Sequence, residues 1–375
     1  MVLHVRKEPS ATVGPVLIIG SGLLGASICL ALTALDVPVR VRDASPVAEA
    51  LARDIGAGEV DGASAPEPAL VVVATPPDVT AGVIGSALHM YPSAIVTDVA
   101  SVKGIILEEL SELAELDLSR YVGSHPMAGR EKTGAAAATG ELFAGRPWVV
   151  CPHDRSDPQA ELAVRHLAAD LGASPVTMTA AEHDHAVSLV SHVPQLVSSL
   201  VAARLVDAPE TALGLAGQGL RDLTRIAASD PKLWTAIITG NAGAIREILR
   251  AVRDDLDGLL NALDRGAEDG PLAVGAMHTI AAVMSAGNDG VSRIPGKHGG
   301  RRKRYTEVVV LVPDKPGELG RLFTEVGEIG ANIEDFSMEH SPKQKVGMAN
   351  VSVLPAVAEE LETELTNRGW RVVAK

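Results

Sequence analysis

The chain has 375 residues, 46% hydrophobic but only 2% aromatic, which is enough for two or three domains whose cores must be built from Ala, Val, Leu and Ile. A formal net charge of -14 argues against binding to nucleic acid or an anionic membrane surface, and an acidic substrate would need a local cationic pocket. Cys29 and Cys151 form no disulfide framework, residues 1–11 lack a signal-like apolar core, and no apolar run approaches membrane-span length, so a cytoplasmic protein is expected.

In chain order, Pro15-Val-Leu-Ile-Ile-Gly20 reads as a buried parallel strand that runs into Gly20-Ser-Gly22-Leu23-Leu24-Gly25 and then a helical pattern over 26–35. Between a strand and a helix, G-x-G-x-x-G is a dinucleotide fingerprint. Gly20 permits the tight turn, Gly22 lets backbone approach a pyrophosphate, and Gly25 lets helix pack on strand, with Leu23 and Leu24 in the same cofactor-facing turn. The next strand, 37–43, ends in Asp43, whose carboxylate can accept both ribose hydroxyls and repel a 2′-phosphate, favouring NAD over NADP. The neighbouring Arg42 could tolerate that phosphate, and Asp43 could simply open a turn.

The apolar run 69–75 is a central strand, after which Thr75 and Pro76 either line the cofactor or cap the strand. A similar strand, 94–98, places Asp98 and Ser101 at its carboxyl end, facing the same crevice. Ser101 either bonds a substrate hydroxyl or orients a base, or N-caps a helix over 105–116. The short strand 121–123 then delivers His125 in a Gly- and Pro-rich loop, followed by Arg130 and Glu131. An imidazole titrates near neutrality, which suits a proton acceptor. Strands over 147–151 and 175–179, with helix 159–171 between them, complete an α/β Rossmann-type domain over 1–179.

Residues 180–287 read as an all-α domain. Glu182-His-Asp-His185 resembles a metal cluster, but its spacing puts His183 and Asp184 on different helical faces. A solvated helix start is the better reading, and no metal is expected. His192 precedes a proline kink at Pro194 and either shapes a pocket or packs as a satisfied core histidine. Arg221 and Arg225, four apart on one face near Trp234, form either a carboxylate clamp or a solvated face, and Ser229-Asp-Pro231 stops one helix and starts another. The Ala/Leu faces are too extensive to bury within one protomer, so a homodimer is expected. A basic Gly-rich linker, 288–304, leads to a βαββαβ module over 305–375, a ferredoxin-like order with helices at 318–329 and 356–367.

Five stretches together resemble the prephenate/arogenate dehydrogenases of tyrosine biosynthesis: Gly20 to Gly25, Thr97-Asp-Val-Ala-Ser101-Val-Lys103, Gly123-Ser-His-Pro-Met-Ala-Gly129, Ser191-His192-Val-Pro194, and Asp222-Leu-Thr-Arg225-Ile with Ser229-Asp-Pro231 and Trp234. Asp314-Lys-Pro-Gly317-Glu318-Leu319 and Asn332-Ile resemble the effector turn and following strand of ACT regulatory domains. The resemblance implies oxidative decarboxylation with NAD, His125 accepting the ring-hydroxyl proton, and Ser101 bonding that hydroxyl or orienting His125. It also implies that Arg225 binds the dianionic substrate, that His192 contacts its side-chain end, that Glu131 and Trp234 close the pocket, and that an aromatic amino acid acts as effector. Arg130 departs from the family pattern, which has Thr before the glutamate, so substrate choice between prephenate and arogenate stays open.

Overall fold

The computed structural model describes residues 9–62, 64–113, 116–129, 134–270, 273–295, 305–340 and 346–373. The chain divides into two compact units, Met1–Val252 and Arg253–Lys375, with the division falling inside one long helix.

The first unit begins with β1 (Val16–Ile19), α1 (Leu23–Ala34), β2 (Val39–Arg42), α2 (Pro46–Asp54), β3 (Glu59–Val60), β4 (Leu70–Val73) and α3 (Pro77–Met90). It continues with β5 (Ile95–Asp98), α4 (Gly104–Glu112), β6 (Tyr121–Pro126), β7 (Pro147–Cys151), α5 (Pro158–Asp170) and β8 (Ser174–Thr177). The sheet order is β3-β2-β1-β4-β5-β6-β7-β8, parallel throughout except for the β6–β7 pair. Alternate side chains face opposite layers: Val16 and Ile18 join a core with α1 and α5, while Leu17 joins a core with α3 and α4. Because both faces are covered, β4 is buried at every position, and each such aliphatic side chain stabilises the fold by about 1.5–3 kcal/mol. In register, Ile19 lies opposite both Arg42 and Val73, so the glycine loop, Asp43 and Thr75 leave the sheet at one level.

Three local features depart from the sequence reading. Edge strand β3 has two exposed residues and carries no periodic signal. His125 is not in a loop: β6 runs on to Pro126, because pairing with β7 sets His125 opposite Val149 and fixes the ring's backbone in the sheet. Helix α4 starts at Gly104 and ends at Glu112, and Ser101 does not cap it; Asp184, distant in sequence, accepts the N–H groups of Lys103 and Gly104.

The helical part comprises α6 (Ala180–Val187), a π turn over Ser188–His192, α7 (Val193–Ala203), α8 (Glu210–Leu213), α9 (Gln218–Thr224), a 3-10 turn over Arg225–Ala227, α10 (Pro231–Gly240) and α11 (Ala242–Glu268). Thr179 and Glu182 form a reciprocal capping box at the start of α6, and Asp230 caps α10. The stretch Ala180–Ala203 is long and apolar enough to cross a membrane by length and composition, contrary to the expectation that no run is. Its His183, Asp184, Ser188 and His192 are nonetheless buried against protein.

In the second unit, α12 (Ala276–Ser292) continues past residue 287 into the start of the expected linker. The linker's Lys297, Gly299, Arg301, Arg302, Lys303 and Arg304 lie outside the described residues. The module that follows is β9 (Thr306–Pro313), α13 (Glu318–Ile329), β10 (Asp335–His340), β11 (Val346–Val353), α14 (Pro355–Asn367) and β12 (Arg371–Val373). Its antiparallel order, β10-β11-β9-β12, is the ferredoxin-like one. Val308, Val310 and Val312 pack on Leu322, Val326, Leu361 and Leu365. Gly317, at φ +90°, supplies the left-handed turn that opens α13, and Asn332 lies in the loop before β10 rather than in the strand.

Candidate active site

The glycine loop is built as its spacing predicts. A Cβ on Gly20 would overlap the Ala74 carbonyl and one on Gly25 would overlap the Gly20 carbonyl, whereas one on Gly22 would meet nothing within 4 Å. Two glycines therefore let strand, helix and the Ala74–Thr75 turn close up, and the third leaves open space beside the amino end of α1, where N–H groups favour an anion. Leu23 and Leu24 are the first residues of α1. Thr75 Oγ1 lies 3.0 Å from Thr80 Oγ1, and Pro76 directly precedes α3.

Asp43 stands at the end of β2, where its carboxylate accepts from Ser21 N and Ser21 Oγ, both at 2.7 Å, and from Ser45 N at 2.8 Å. Burial works to raise its pKa, but these bonds outweigh it and hold the group below the usual carboxylate range. The Arg42 guanidinium is already engaged: it pairs with Asp61 and donates to Tyr91 Oη at 2.8 Å. Beside it lies a cavity of about 310 Å³ bounded by Ile19, the last residue of β1, and by Arg42, Val79, Val83, Met90 and Tyr91.

Asp98 does not face the crevice. It is fully buried, forms an ion pair with Lys103, accepts from Tyr121 Oη at 2.8 Å, and receives Ala100 N at 2.9 Å, so its oxygens are spent on holding the loop that carries Ser101. The Ser101 hydroxyl, on that loop, has no hydrogen-bond partner among the described residues.

His125 Nδ1 lies 2.9 Å from His183 Nε2, and His183 Nδ1 lies 2.8 Å from Asp184 Oδ1. The reading of residues 182–185 as a solvated helix start therefore holds for exposed Glu182 and His185 and is corrected for His183 and Asp184. Consecutive helical positions point about 100° apart, but α6 lies in the corner between α4 and β7, where both directions meet protein. His183 is fully buried and Asp184 nearly so. Burial, with the neighbouring His183 and Lys103 adding to it, pushes the His125 pKa well below 6.5. Burial also lowers His183, against the raising effect of Asp184. His125 is thus neutral at cellular pH, the form that can accept a proton.

His192 is drawn inward by the π turn, which accommodates the missing N–H and ring of Pro194 and leaves Leu189 and Val190 outside. Its ring meets Trp234 edge-on at 6.2 Å, and burial pushes its pKa down to about 4. Asn241 Nδ2 bonds both the Asp184 carbonyl, at 2.7 Å, and His192 Nδ1, at 3.2 Å. Arg221 and Arg225 are exposed in the protomer. α9 ends between them at Thr224, and Arg225 opens the 3-10 turn that follows. Arg130 and Glu131 lie outside the described residues. Sequence reasoning missed His183, Asp184 and Asn241; the His-Asp pair was visible, but its fit against α4 and β7 was not.

A glycine cradle at the end of β1 and a neutral, buried histidine at the same edge of the sheet define a dinucleotide-dependent dehydrogenase. Residues 30–177 match the family model for the prephenate dehydrogenase nucleotide-binding domain, and residues 179–276 match that for the prephenate dehydrogenase dimerization domain. A probable prephenate dehydrogenase of Streptomyces niveus is 37% identical over 357 residues, spanning 94% of this chain and 98% of the relative. The prephenate dehydrogenase of Bacillus subtilis is 28% identical, spanning 82% and 83%. Among solved structures, the A. aeolicus prephenate dehydrogenase with hydroxyphenyl propionate and NAD+ is 25% identical, with a TM-score of 0.63 over 74% of this chain and 96% of that one. Synechocystis arogenate dehydrogenase is 26% identical, with a TM-score of 0.59 over 74% and 99%. The chain belongs to the prephenate dehydrogenase family.

Proposed function

We propose that the protein oxidatively decarboxylates prephenate to 4-hydroxyphenylpyruvate with NAD in tyrosine biosynthesis. The observation that carries this is His125, neutral, on a rigid strand and backed by His183, at the sheet edge that holds the glycine cradle. NAD, when bound, supplies the acceptor for the hydride leaving the hydroxyl-bearing ring carbon. His125 Nε2 takes the hydroxyl proton. The bond to the ring carboxylate then breaks, its electron pair enters the ring, CO2 departs, and the proton returns to the phenolate oxygen. Ser101, on its Asp98-anchored loop, bonds that hydroxyl, while Arg225 pairs with a substrate carboxylate, and His192 and Trp234 meet the side-chain end.

NAD is favoured over NADP because the Asp43 carboxylate at the end of β2 would repel a 2′-phosphate, and because Arg42 is committed to Asp61 and Tyr91. Exposed Leu189, Val190, Leu200, Val206 and Leu215 on the helical part support a homodimer, with the matched dimerization model as second support. The C-terminal module acts as an ACT-type sensor of an aromatic amino acid, held by the effector turn with Asp314, Gly317, Glu318 and Leu319 and by Asn332 in the loop before β10. A cytoplasmic location is in keeping with biosynthetic relatives. Incubating protein and NAD with prephenate, and separately with arogenate, should yield reduced cofactor and, from prephenate, CO2. No turnover of either substrate would remove this reading.

A further inference from the structure

We propose that Asp184 sets the two imidazoles of the site in opposite tautomers: through His183 it holds His125 as a bare-Nε2 acceptor, and through Asn241 it holds His192 as an Nε2–H donor. Which substrate atoms these rings meet rests on the function proposed above; the tautomers themselves rest only on hydrogen-bond chemistry.

One arm runs through the side chain. The Asp184 carboxylate accepts Lys103 N at 2.9 Å and Gly104 N at 2.7 Å at the start of α4. Burial opposes its ionisation, but these bonds and that from His183 keep its pKa below the ordinary value, so it can only accept. His183 Nδ1, 2.8 Å from Oδ1, must carry the proton, which leaves Nε2 of this neutral ring bare. That atom in turn accepts from His125 Nδ1 at 2.9 Å, so the second nitrogen of His125 is also bare.

The other arm runs through the backbone. The Asp184 carbonyl can only accept, so Asn241 must turn its NH2 toward it, which fixes the amide orientation. The same NH2 meets His192 Nδ1 at 3.2 Å, and that nitrogen must therefore be bare. A neutral His192 then carries its proton on Nε2. Neither Nε2 has a partner among the described residues, so one unpaired acceptor and one unpaired donor remain for a ligand. The acceptor suits a hydroxyl that loses its proton, and the donor suits an oxygen at the far end of the substrate, so Asn241, His183 and Asp184 are positioning residues.

The test is ring-nitrogen NMR on full-length protein labelled with 15N-histidine, with signals assigned by their loss in His125→Gln and His192→Gln. Wild type at neutral pH should show His125 unprotonated at Nε2 and His192 protonated there. The reverse tautomer, or a mixture, at either ring would overturn the proposal, and this measurement needs no destabilised variant. His183→Leu should scramble the His125 tautomer alone and lower kcat by about a hundredfold, the low end of a general base's contribution. His183→Gln, whose carbonyl can accept from Nδ1, should restore much of that. Asn241→Leu should scramble His192 alone and raise KM about tenfold, more than it lowers kcat. Unchanged tautomers in both Leu variants would also defeat the proposal. If the tautomers are as stated and neither prephenate nor arogenate is turned over, the functional reading falls and the tautomer assignment stands.

Discussion

At the scale of single residues, His125→Asn should retain substrate and cofactor binding and lower kcat by about two to four orders of magnitude, the usual contribution of a general base. Wild-type turnover across pH in that variant would refute the assignment. Because burial depresses the His125 pKa, the base stays competent below pH 6.5, and the acid limb of kcat/KM should lie below that value. The stability sign follows from the same burial. His125, His183 and His192 bind protons in the unfolded chain near 6.5 but resist them when folded, so stability should fall as pH drops from about 6.5 toward the His192 value of about 4. The carboxylates with lowered pKa, Asp43 and Asp184, extend the loss to still lower pH. Urea midpoints that stayed flat between pH 7 and 4.5 would contradict this. Arg225→Gln should raise KM by about tenfold or more, through loss of a charge-assisted bond to a carboxylate. An unchanged KM would move the anion contact to Arg221 or Arg130. His125 was legible because Gly-Ser-His-Pro isolates one imidazole in a chemistry-bearing stretch. His183 was not, because its partner comes from a strand 58 residues away.

At the scale of elements, the strand-loop-helix unit was readable because glycine marks backbone demands that no other residue meets. Gly25→Ala should push α1 off β1, since the added methyl would occupy the Gly20 carbonyl; the expected result is loss of NAD affinity together with a lower melting temperature. Gly22→Ala should keep the melting temperature, because its methyl meets no protein atom, and should weaken NAD alone by crowding the space beside the helix terminus. Equal thermal losses in the two variants would show that the loop's close contacts are misassigned. The group that caps α4 was not legible for a definable reason. Ser101 is a good cap type near the right place, but the Asp184 carboxylate reaches the free N–H groups first, and only the tertiary packing of α6 on α4 puts it there.

At the scale of the whole molecule, cutting the chain in the segment before β9 should leave an active enzyme that no longer answers tyrosine through the C-terminal module. Coupling is reciprocal, so in the intact protein tyrosine bound at the module should be weakened by substrate as much as it weakens substrate. Competition by tyrosine at the active site would survive the cut. Inhibition of the same strength and kinetic pattern before and after truncation would rule out regulation through the tail.

By itself the sequence determined what is written in local spacing. The glycine cradle, the alternation of apolar strands and helices, the acidic residue closing β2, the βαββαβ tail and the histidine of the Gly-Ser-His-Pro stretch all follow from period, turn chemistry and charge along the local chain. Only the tertiary structure decided which polar groups are consumed and which are left to act. Asp98 looks like a ligand but is taken by Lys103 and Tyr121, and Arg42 is taken by Asp61 and Tyr91. Asp184 looks solvated, yet it is buried where it caps α4, pairs with His183 and, through its carbonyl, accepts from Asn241. The physical reason is that a hydrogen bond depends on distances of about 3 Å and on desolvation, and both are set by the packing of elements far apart in sequence.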